Sequence, residues 1–331
     1  MSGSTTCKTL SYSQFGKPTE VIKCSSVELP PLQEGEALIR MRYANINPSD
    51  LGMIGGSYGK LLELPAVAGR EGMGVIEAIA SDASGLAIGD QVRLPENGGT
   101  WRSHRIARCE DLLKIPAEIP PEQAATLFIN PPTALMLLES LIDLKPGDWV
   151  IQNAANSSVG TWVIQLAKAK GLKTINLVRR ASLENELKAL GADIVIEDNN
   201  DYPKALKDLT GGAKPKLALN SIGGESVIRM IKCLADEGVC ATFGGMVGDL
   251  VRFPTRFLIF NSVKLCGFWM DKWTRTHSRE EIQELHDKVF RYVIEHKIST
   301  PIQETYSLED FSKALAAFSQ PRMGKILFQG E

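Results

Sequence analysis

Apolar positions recur along this chain at two different periods, and the change between them divides it. From Glu36 to Ile46 they alternate, with Ala37, Ile39, Met41 and Tyr43 on one face, the period of a half-buried strand. Shorter alternations follow over Val67 to Ala80 and Gln91 to Leu94, separated by Gly-Asp turns, and another strand begins within the first dozen residues. This predicts a β-rich first domain, a curled sheet or small barrel. From Pro120 the character changes. Pro121 to Leu141 reads as helix, interrupted at Asn130-Pro131-Pro132 because a proline ring clashes with the turn before it. Between residues 148 and 268 short apolar runs alternate with amphipathic segments. Strands are predicted at 149–152, 174–178, 193–196, 216–220, 239–243 and 263–268, with helices at 158–170, 182–190, 202–210 and 224–235. The class is therefore α/β, with a parallel sheet covered on both faces. Helices near 278–297 and 307–319 and a strand from Lys325 to Phe328 have no sheet of their own, so they are expected to return to the first domain. The expected division is 1–122 with 270–331, and 123–269.

The stretch from Val150 to Arg180 carries the first chemistry. It reads strand, small-residue turn, helix, strand, the unit that binds a dinucleotide in a Rossmann, doubly wound sheet. Free N–H groups and the positive dipole end of the helix face a pyrophosphate there. Against the pattern G-x-G-x-x-G the chain offers Ala155, Ser157 and Gly160, so only the last glycine, the one for close helix–strand packing, survives. An acid that would bond a ribose 2′-hydroxyl belongs at the end of the second strand, and Arg179 and Arg180 stand there instead. A guanidinium pairs with a 2′-phosphate through parallel hydrogen bonds, which points to NADPH rather than NADH. A plain βαβ unit and a solvated arginine pair remain the alternatives.

Composition changes the picture little. The 331 residues suffice for two cores; 44% are hydrophobic, 23% are charged and the net charge is −2, giving no general reason to expect nucleic acid or membrane affinity. No apolar run approaches the ~20 residues needed to span a bilayer. The start MSGSTTCKTLSYSQFG shows neither a signal-peptide core nor an Arg-rich presequence, so a cytoplasmic location is expected, with the mitochondrial matrix open for a processed form. Six scattered cysteines form no C-x-x-C pair, and the four histidines do not cluster; no metal site and no disulfide framework are expected. His277 and His286 fall in a polar helical region and read as solvent-facing.

Local motifs carry a resemblance over essentially the whole chain. NINPSD at 45–50, GGSYGKLLELPAVAGREG at 55–72, ENGGTW at 96–101 and NPPTA at 130–134 resemble trans-2-enoyl-CoA (enoyl-ACP) reductases of the mitochondrial type, within the medium-chain dehydrogenase/reductase superfamily. So do VIQNAANSSVG at 150–160, TINLVR at 174–179, LNSIGG at 219–224, FGGM at 243–246 and RFLIFNSVKLCGFW at 256–269. The resemblance implies a GroES-like catalytic domain beside the Rossmann domain. Zinc-dependent members carry a Cys where this chain has Asn47 and a His where it has Arg70, and have a four-Cys lobe it lacks. A catalytic zinc is therefore not expected, and Glu71 reads as a structural acid paired with a neighbour such as Arg70.

The same resemblance assigns roles. Tyr58, in a Gly-flanked loop, is the expected proton or hydrogen-bond donor, since a phenol is a suitable acid at neutral pH. Phe268 and Trp269 are expected near nicotinamide and substrate, Trp269 also serving the chemistry as a flat apolar wall. Cofactor contacts are expected from Asn156, Ser157, Ser158, Val159 and Gly160, from Arg179 and Arg180, from Phe243, Gly244, Gly245 and Met246, and from Lys325. Asn130 reads as a cofactor contact or as a helix cap, with Thr133 offering a hydroxyl nearby. Three departures from the family pattern stand out: Ser158 replaces a glycine, Arg180 an acid and Ala181 a base. The expected activity is NADPH-dependent, zinc-independent reduction of enoyl-CoA or enoyl-acyl-carrier-protein thioesters in fatty-acid synthesis. A quinone or small-enone reductase of the same fold and a non-catalytic NADPH-binding protein are the alternatives. The resemblance also implies a homodimer in which the last Rossmann strand, Val263 to Phe268, pairs with its two-fold mate, and its apolar content suits such a buried edge.

Overall fold

The computed structural model describes residues 5–80, 85–95, 98–246 and 253–330. It divides into two compact units, Met1–Ile129 with Thr300–Glu331, and Asn130–Ser299. The first unit opens with β1 (Thr5–Tyr12), α1 (Pro18–Val21), β2 (Lys23–Leu29), β3 (Glu36–Asn45), α2 (Pro48–Ile54) and β4 (Ala66–Val67). It continues through β5 (Gly72–Ile79), β6 (Gln91–Arg93), β7 (His104–Arg108), β8 (Leu113–Lys114) and α3 (Pro121–Ala124). The second unit runs α4 (Asn130–Glu139), β9 (Trp149–Gln152), α5 (Ser158–Ala169), β10 (Lys173–Val178), α6 (Glu184–Ala189), β11 (Ile194–Glu197) and α7 (Tyr202–Leu209). It ends with β12 (Leu217–Asn220), α8 (Gly224–Cys233), β13 (Val239–Thr242), α9 (Thr255–Phe260), β14 (Lys264–Gly267), α10 (Met270–Thr276) and α11 (Arg279–His296). β15 (Ile302–Tyr306), α12 (Phe311–Ser319) and β16 (Lys325–Gln329) return to the first unit.

In that unit β16 pairs antiparallel with β3 and parallel with β15, and the sheet continues in the order β15-β16-β3-β5-β6-β8, with β7 also on β3. A separate ribbon, β2-β1-β4, completes it. Ala37, Ile39 and Met41 point into a core with Ile76, Val92 and Leu94. The expected alternation does not carry through Tyr43: the pairing of β3 with β5 shifts between Met41 and Tyr43. That irregularity leaves Tyr43 half-buried and turns Ala44 and Asn45 inward, as a bulge does.

The second unit is a six-stranded parallel sheet in the order β11-β10-β9-β12-β13-β14, the doubly wound arrangement. Its central strands are buried on both faces, so they read as short apolar runs, as in Leu217–Leu219 before the buried Asn220. The helical stretch beginning at Pro121 breaks between α3 and α4. Pro131 and Pro132 then sit in the first turn of α4, where no N–H is required of them.

Both boundaries differ from the expected ones, and residues 123–129 group with the first unit. Residues 270–299 belong with the second unit, because α11 packs on the helices there. The Gln165 amide bonds Ser299 O at 2.9 Å, and Lys170 sits 5.5 Å from the Tyr292 ring centroid. The inward stripe of α11 is Leu285, His286, Val289 and Phe290. His286 is thus buried, contrary to the solvent-facing expectation, with its ring stacked on Phe290. All six cysteines are free thiols. Among the described residues, no helix is long and apolar enough to cross a membrane.

Candidate active site

The turn between β9 and α5 is built by small residues under tight constraint. Ala154 takes φ 47°, and the Ser157 hydroxyl caps α5 by accepting from Gly160 N at 3.1 Å. A Cβ on Gly160 would stand 2.5 Å from Ala155 O, so only glycine lets the helix start this close to the strand end. Asn156 and Ser158 are half-buried beside it and Val159 is buried. The Ser158 Oγ is buried and has no hydrogen-bond partner among the described residues; the Ser221 Oγ, just past β12, is in the same condition. Two orphaned hydroxyls at the carboxyl ends of parallel strands suit a ligand that brings its own acceptors.

Around this turn the second unit collects most of the predicted contacts. Arg179 and Arg180 follow β10 and are exposed. Phe243, Gly244, Gly245 and Met246 follow β13. Met246 N donates to Ser221 O at 3.1 Å, and a Cβ on Gly244 would lie 3.1 Å from that same oxygen, so this loop folds against the end of β12. Phe268 is half-buried, and Trp269 immediately precedes α10 with the Arg275 guanidinium 4.8 Å above its ring. Asn130 opens α4 and Thr133 is buried in its first turn; α4 packs on α5.

Tyr58 and Lys325 belong to the first unit, in a cluster that sequence reasoning recognised only in pieces. Gly56 at φ 76° turns the chain after α2, and the Tyr58 ring then lies 4.8 Å from the Arg70 guanidinium carbon. Nearby, Glu71 is buried and accepts four hydrogen bonds. Asn45 Nδ2 and Asn47 Nδ2 each donate to Oε2 at 2.7 Å, while Phe128 N and Ile129 N each donate to Oε1 at 2.9 Å. Glu71 is thus held by amides, which the expected pairing with Arg70 did not anticipate. Lys325, only 5% exposed, donates to Asn47 Oδ1. Asn47 is therefore inserted between a buried ammonium and a buried carboxylate, and its orientation is fixed because neither neighbour can exchange roles.

Burial is the largest influence on the titration of Lys325 and Asp50. It pushes Lys325 down to about 8, against the pull of Glu71 and Asp50. It raises Asp50 to about 7, although the Asn47 N–H, 2.6 Å from Asp50 Oδ2, favours the carboxylate. Among the described residues no three His, Cys, Asp or Glu side chains gather as they would around a metal ion.

Residues 33–116 match the alcohol dehydrogenase GroES-like domain, and residues 158–291 match the zinc-binding dehydrogenase family. Fold and site thus define a two-unit medium-chain dehydrogenase/reductase with a GroES-like first unit and a Rossmann second one. The rat mitochondrial enoyl-[acyl-carrier-protein] reductase is 40% identical over 321 residues, 95% of this chain and 86% of its own length. The chain belongs to the mitochondrial enoyl-[acyl-carrier-protein] reductase family. Two solved structures agree. The Etr1p/NADP/crotonyl-CoA complex superposes with a TM-score of 0.90 at 27% identity, covering 98% of this chain and 100% of that one. The mitochondrial 2-enoyl thioester reductase Etr1p/Etr2p heterodimer from Candida tropicalis gives a TM-score of 0.89 at 28% identity with the same coverage.

Proposed function

We propose that this protein reduces the trans-2 carbon–carbon double bond of enoyl thioesters, carried on coenzyme A or acyl carrier protein, with NADPH as reductant, in fatty-acid synthesis. The observation that carries the reading is Tyr58, a loop phenol set against the buried Arg70 guanidinium in a chain whose relatives are enoyl reductases.

The residues of the second unit fit the cofactor. The first-turn N–H groups of α5 and the orphaned Ser158 hydroxyl face a pyrophosphate, with Asn156, Ser157, Val159 and Gly160 shaping the cradle. Arg179 and Arg180 meet the 2′-phosphate. Phe243, Gly244, Gly245 and Met246, with Asn130 and Thr133, hold the nicotinamide end, and Phe268 and Trp269 form its apolar wall. When bound, NADPH supplies the hydride that adds to the β-carbon. Tyr58 meets the charge that develops on the thioester oxygen, by hydrogen bond or by delivering a proton to the α-carbon. Lys325 is enclosed and committed to Asn47, so we read it as a support of α2 rather than a nucleotide contact. We assign no metal to the reaction, since Asn47 and Glu71 are already engaged with each other.

Two copies pair through β14, the end strand of its sheet among the described residues, where Leu265 is exposed; in α9, Ile259 and Phe260 are 69% and 78% exposed. Light scattering is expected to return a two-chain mass that Phe260→Glu lowers to one; a one-chain mass for the unaltered protein refutes the pairing. Since its named relatives are mitochondrial, we place the protein in mitochondria.

The reaction is tested by following NADPH oxidation with crotonyl-CoA, with 1,4-benzoquinone and with no acceptor. Turnover that depends on crotonyl-CoA is expected. Turnover with benzoquinone alone makes the protein a quinone reductase, and no turnover with either makes it a non-catalytic binder.

A further inference from the structure

Beside the nucleotide turn, the second unit holds a chain of polar side chains, buried in its middle and half-buried at its ends, that none of the assigned contacts includes. It starts at an ion pair: Arg229 Nε and Nη2 donate to Asp198 Oδ1 at 3.0 and 2.7 Å. The Ser226 hydroxyl donates to Asp198 Oδ2. Asn153 Nδ2 donates to Ser226 Oγ at 3.0 Å and to Asn220 Oδ1 at 2.8 Å. Asn220 Nδ2 in turn donates to Thr242 Oγ1 at 3.1 Å. Asn153, Asn220 and Ser226 are 1%, 0% and 5% exposed.

Every bond in this chain has one allowed direction. A carboxylate only accepts, so Ser226 must give its single proton to Asp198 and can only accept from Asn153. Asn153 therefore presents its NH2 group to Ser226 and Asn220, which leaves its Oδ1 to accept from Ser221 N at 2.8 Å. Asn220 then offers its oxygen to Asn153 and to Ile222 N and Gly223 N, and its NH2 group to Thr242. The sense diverges from Asn153, so two short runs, Asn153 to Ser226 to Asp198 and Asn153 to Asn220 to Thr242, are each aligned, and bonds within a run polarise one another in a low-dielectric interior.

The chain runs across the carboxyl ends of the strands, where the cofactor loops begin. Asn153 is the first residue of the nucleotide turn. Asn220 closes β12 and fixes the loop that carries the orphaned Ser221 hydroxyl. Thr242 immediately precedes Phe243-Gly244-Gly245. Asp198 N bonds Val178 O at 2.8 Å, at the residue before Arg179. Four loop ends are thus set by one network.

We propose that this relay, from Arg229 through Asp198, Ser226, Asn153 and Asn220 to Thr242, is a positioning device that holds the pyrophosphate turn and the loops after β10, β12 and β13 in the NADPH-binding arrangement. It rests on the NADPH reading above. Ser226, Thr242 and Asp198 position through their neighbours.

The test uses Thr242→Val, which keeps the shape and deletes the hydroxyl, Ser226→Ala, which breaks the middle link, and the two combined. NADPH affinity is measured by calorimetry, and the ligand-free proteins are melted in parallel. Each single change leaves a buried donor unsatisfied, so Kd for NADPH is expected to rise about tenfold. Thr242→Ser, which restores the hydroxyl, is expected to return it to the starting value. Changes in one network do not multiply, so the double variant is expected within about threefold of the weaker single variant, where independent sites would put it about tenfold beyond. At saturating NADPH the kcat with crotonyl-CoA is expected to change less than KM for NADPH. Unchanged Kd in both single variants overturns the relay, whatever their melting temperatures, and so does a multiplicative double variant. Unaltered protein that binds no NADPH overturns the cofactor reading and the relay with it.

Discussion

Replacing Glu71 by glutamine changes one atom in the buried cluster of the first unit, and its cost can be worked from the bonds. The carboxylate accepts from Asn45, Asn47, Phe128 N and Ile129 N, two on each oxygen. A glutamine keeps one acceptor, best spent on the two backbone donors, and turns its own NH2 group toward the two asparagines. Asn45 can rotate at little cost, because its Oδ1 has no hydrogen-bond partner among the described residues. Asn47 cannot, because rotation would aim its NH2 group at the Lys325 ammonium. One buried donor is left unsatisfied, and the remaining bonds lose the charge that strengthened them. At ~1–3 kcal/mol for the first and some tenths for each of the others, the loss comes to about 2–4 kcal/mol. Against the ~5–15 kcal/mol of a typical domain, that is large. Urea unfolding of the glutamine variant is expected to show a lowered midpoint. Adding Lys325→Met frees Asn47 to rotate, so the double variant is expected to lose less than the sum of the two single losses. A glutamine variant within about half a kcal/mol of the unaltered protein, or strictly additive losses, would refute the reasoning.

Tyr58→Phe is expected to lower kcat with crotonyl-CoA by ~10²-fold with little change in NADPH affinity; near-normal turnover, measured where deuterated NADPH shows an isotope effect, would make the phenol a packing residue. Arg179→Ala is expected to raise KM for NADPH about tenfold or more while leaving NADH almost unaffected, and equal losses for the two would assign the arginines no part in the choice. For Asp50 the folded pKa lies above the ordinary value, raised to about 7 from 3.8 by burial. Its contribution to stability is therefore full below about pH 4 and is lost as pH rises through about 7, so the stability difference between the unaltered protein and Asp50→Asn is expected to shift against the former over that interval. A difference independent of pH would contradict the buried carboxyl.

The second unit was the more legible in sequence, and burial explains why. Strands of the sheet interior, such as Trp149–Gln152 and Leu217–Asn220, are apolar runs of three closed by one buried amide, and their spacing by helices leaves few topologies open. Strand β2 faces solvent along almost its whole length, and β15 is the polar edge strand Ile302–Tyr306, so neither shows a pattern to read. The helix α11 reads in sequence only as a polar helix near 278–297, and nothing local says which unit it covers, so its grouping with residues 130–299 is not legible there. In the site, Tyr58, the nucleotide turn and the arginine pair stood out because spacing and motif mark them. Lys325 was noticed without its partner. Asn153 and Asn220 lie inside quoted motifs but carry no readable role there, and Asp198 gives no sign at all, since an amide or carboxylate buried by a residue tens of positions away looks like any surface residue in one dimension. Its burial is a tertiary fact, as is the bond from Asn153 to Ser226 across 73 positions.

The return of residues 300–330 to the first unit has a consequence for how the chain emerges from the ribosome. Strand β3 needs β16 beside it, as Leu327 pairs with Asn45, and Asn47 needs Lys325. Synthesis at ~5–20 residues per second leaves the first unit waiting some tens of seconds for its last strand, its Glu71 cluster missing a cation and one side of β3 open. The contiguous second unit is complete by Ser299 and can fold before that strand arrives. Once it has, the loop to be closed is bounded by a folded body rather than by free chain, and its entropy cost falls accordingly. The order of maturation is then the reverse of the order of translation: the part made first is finished last.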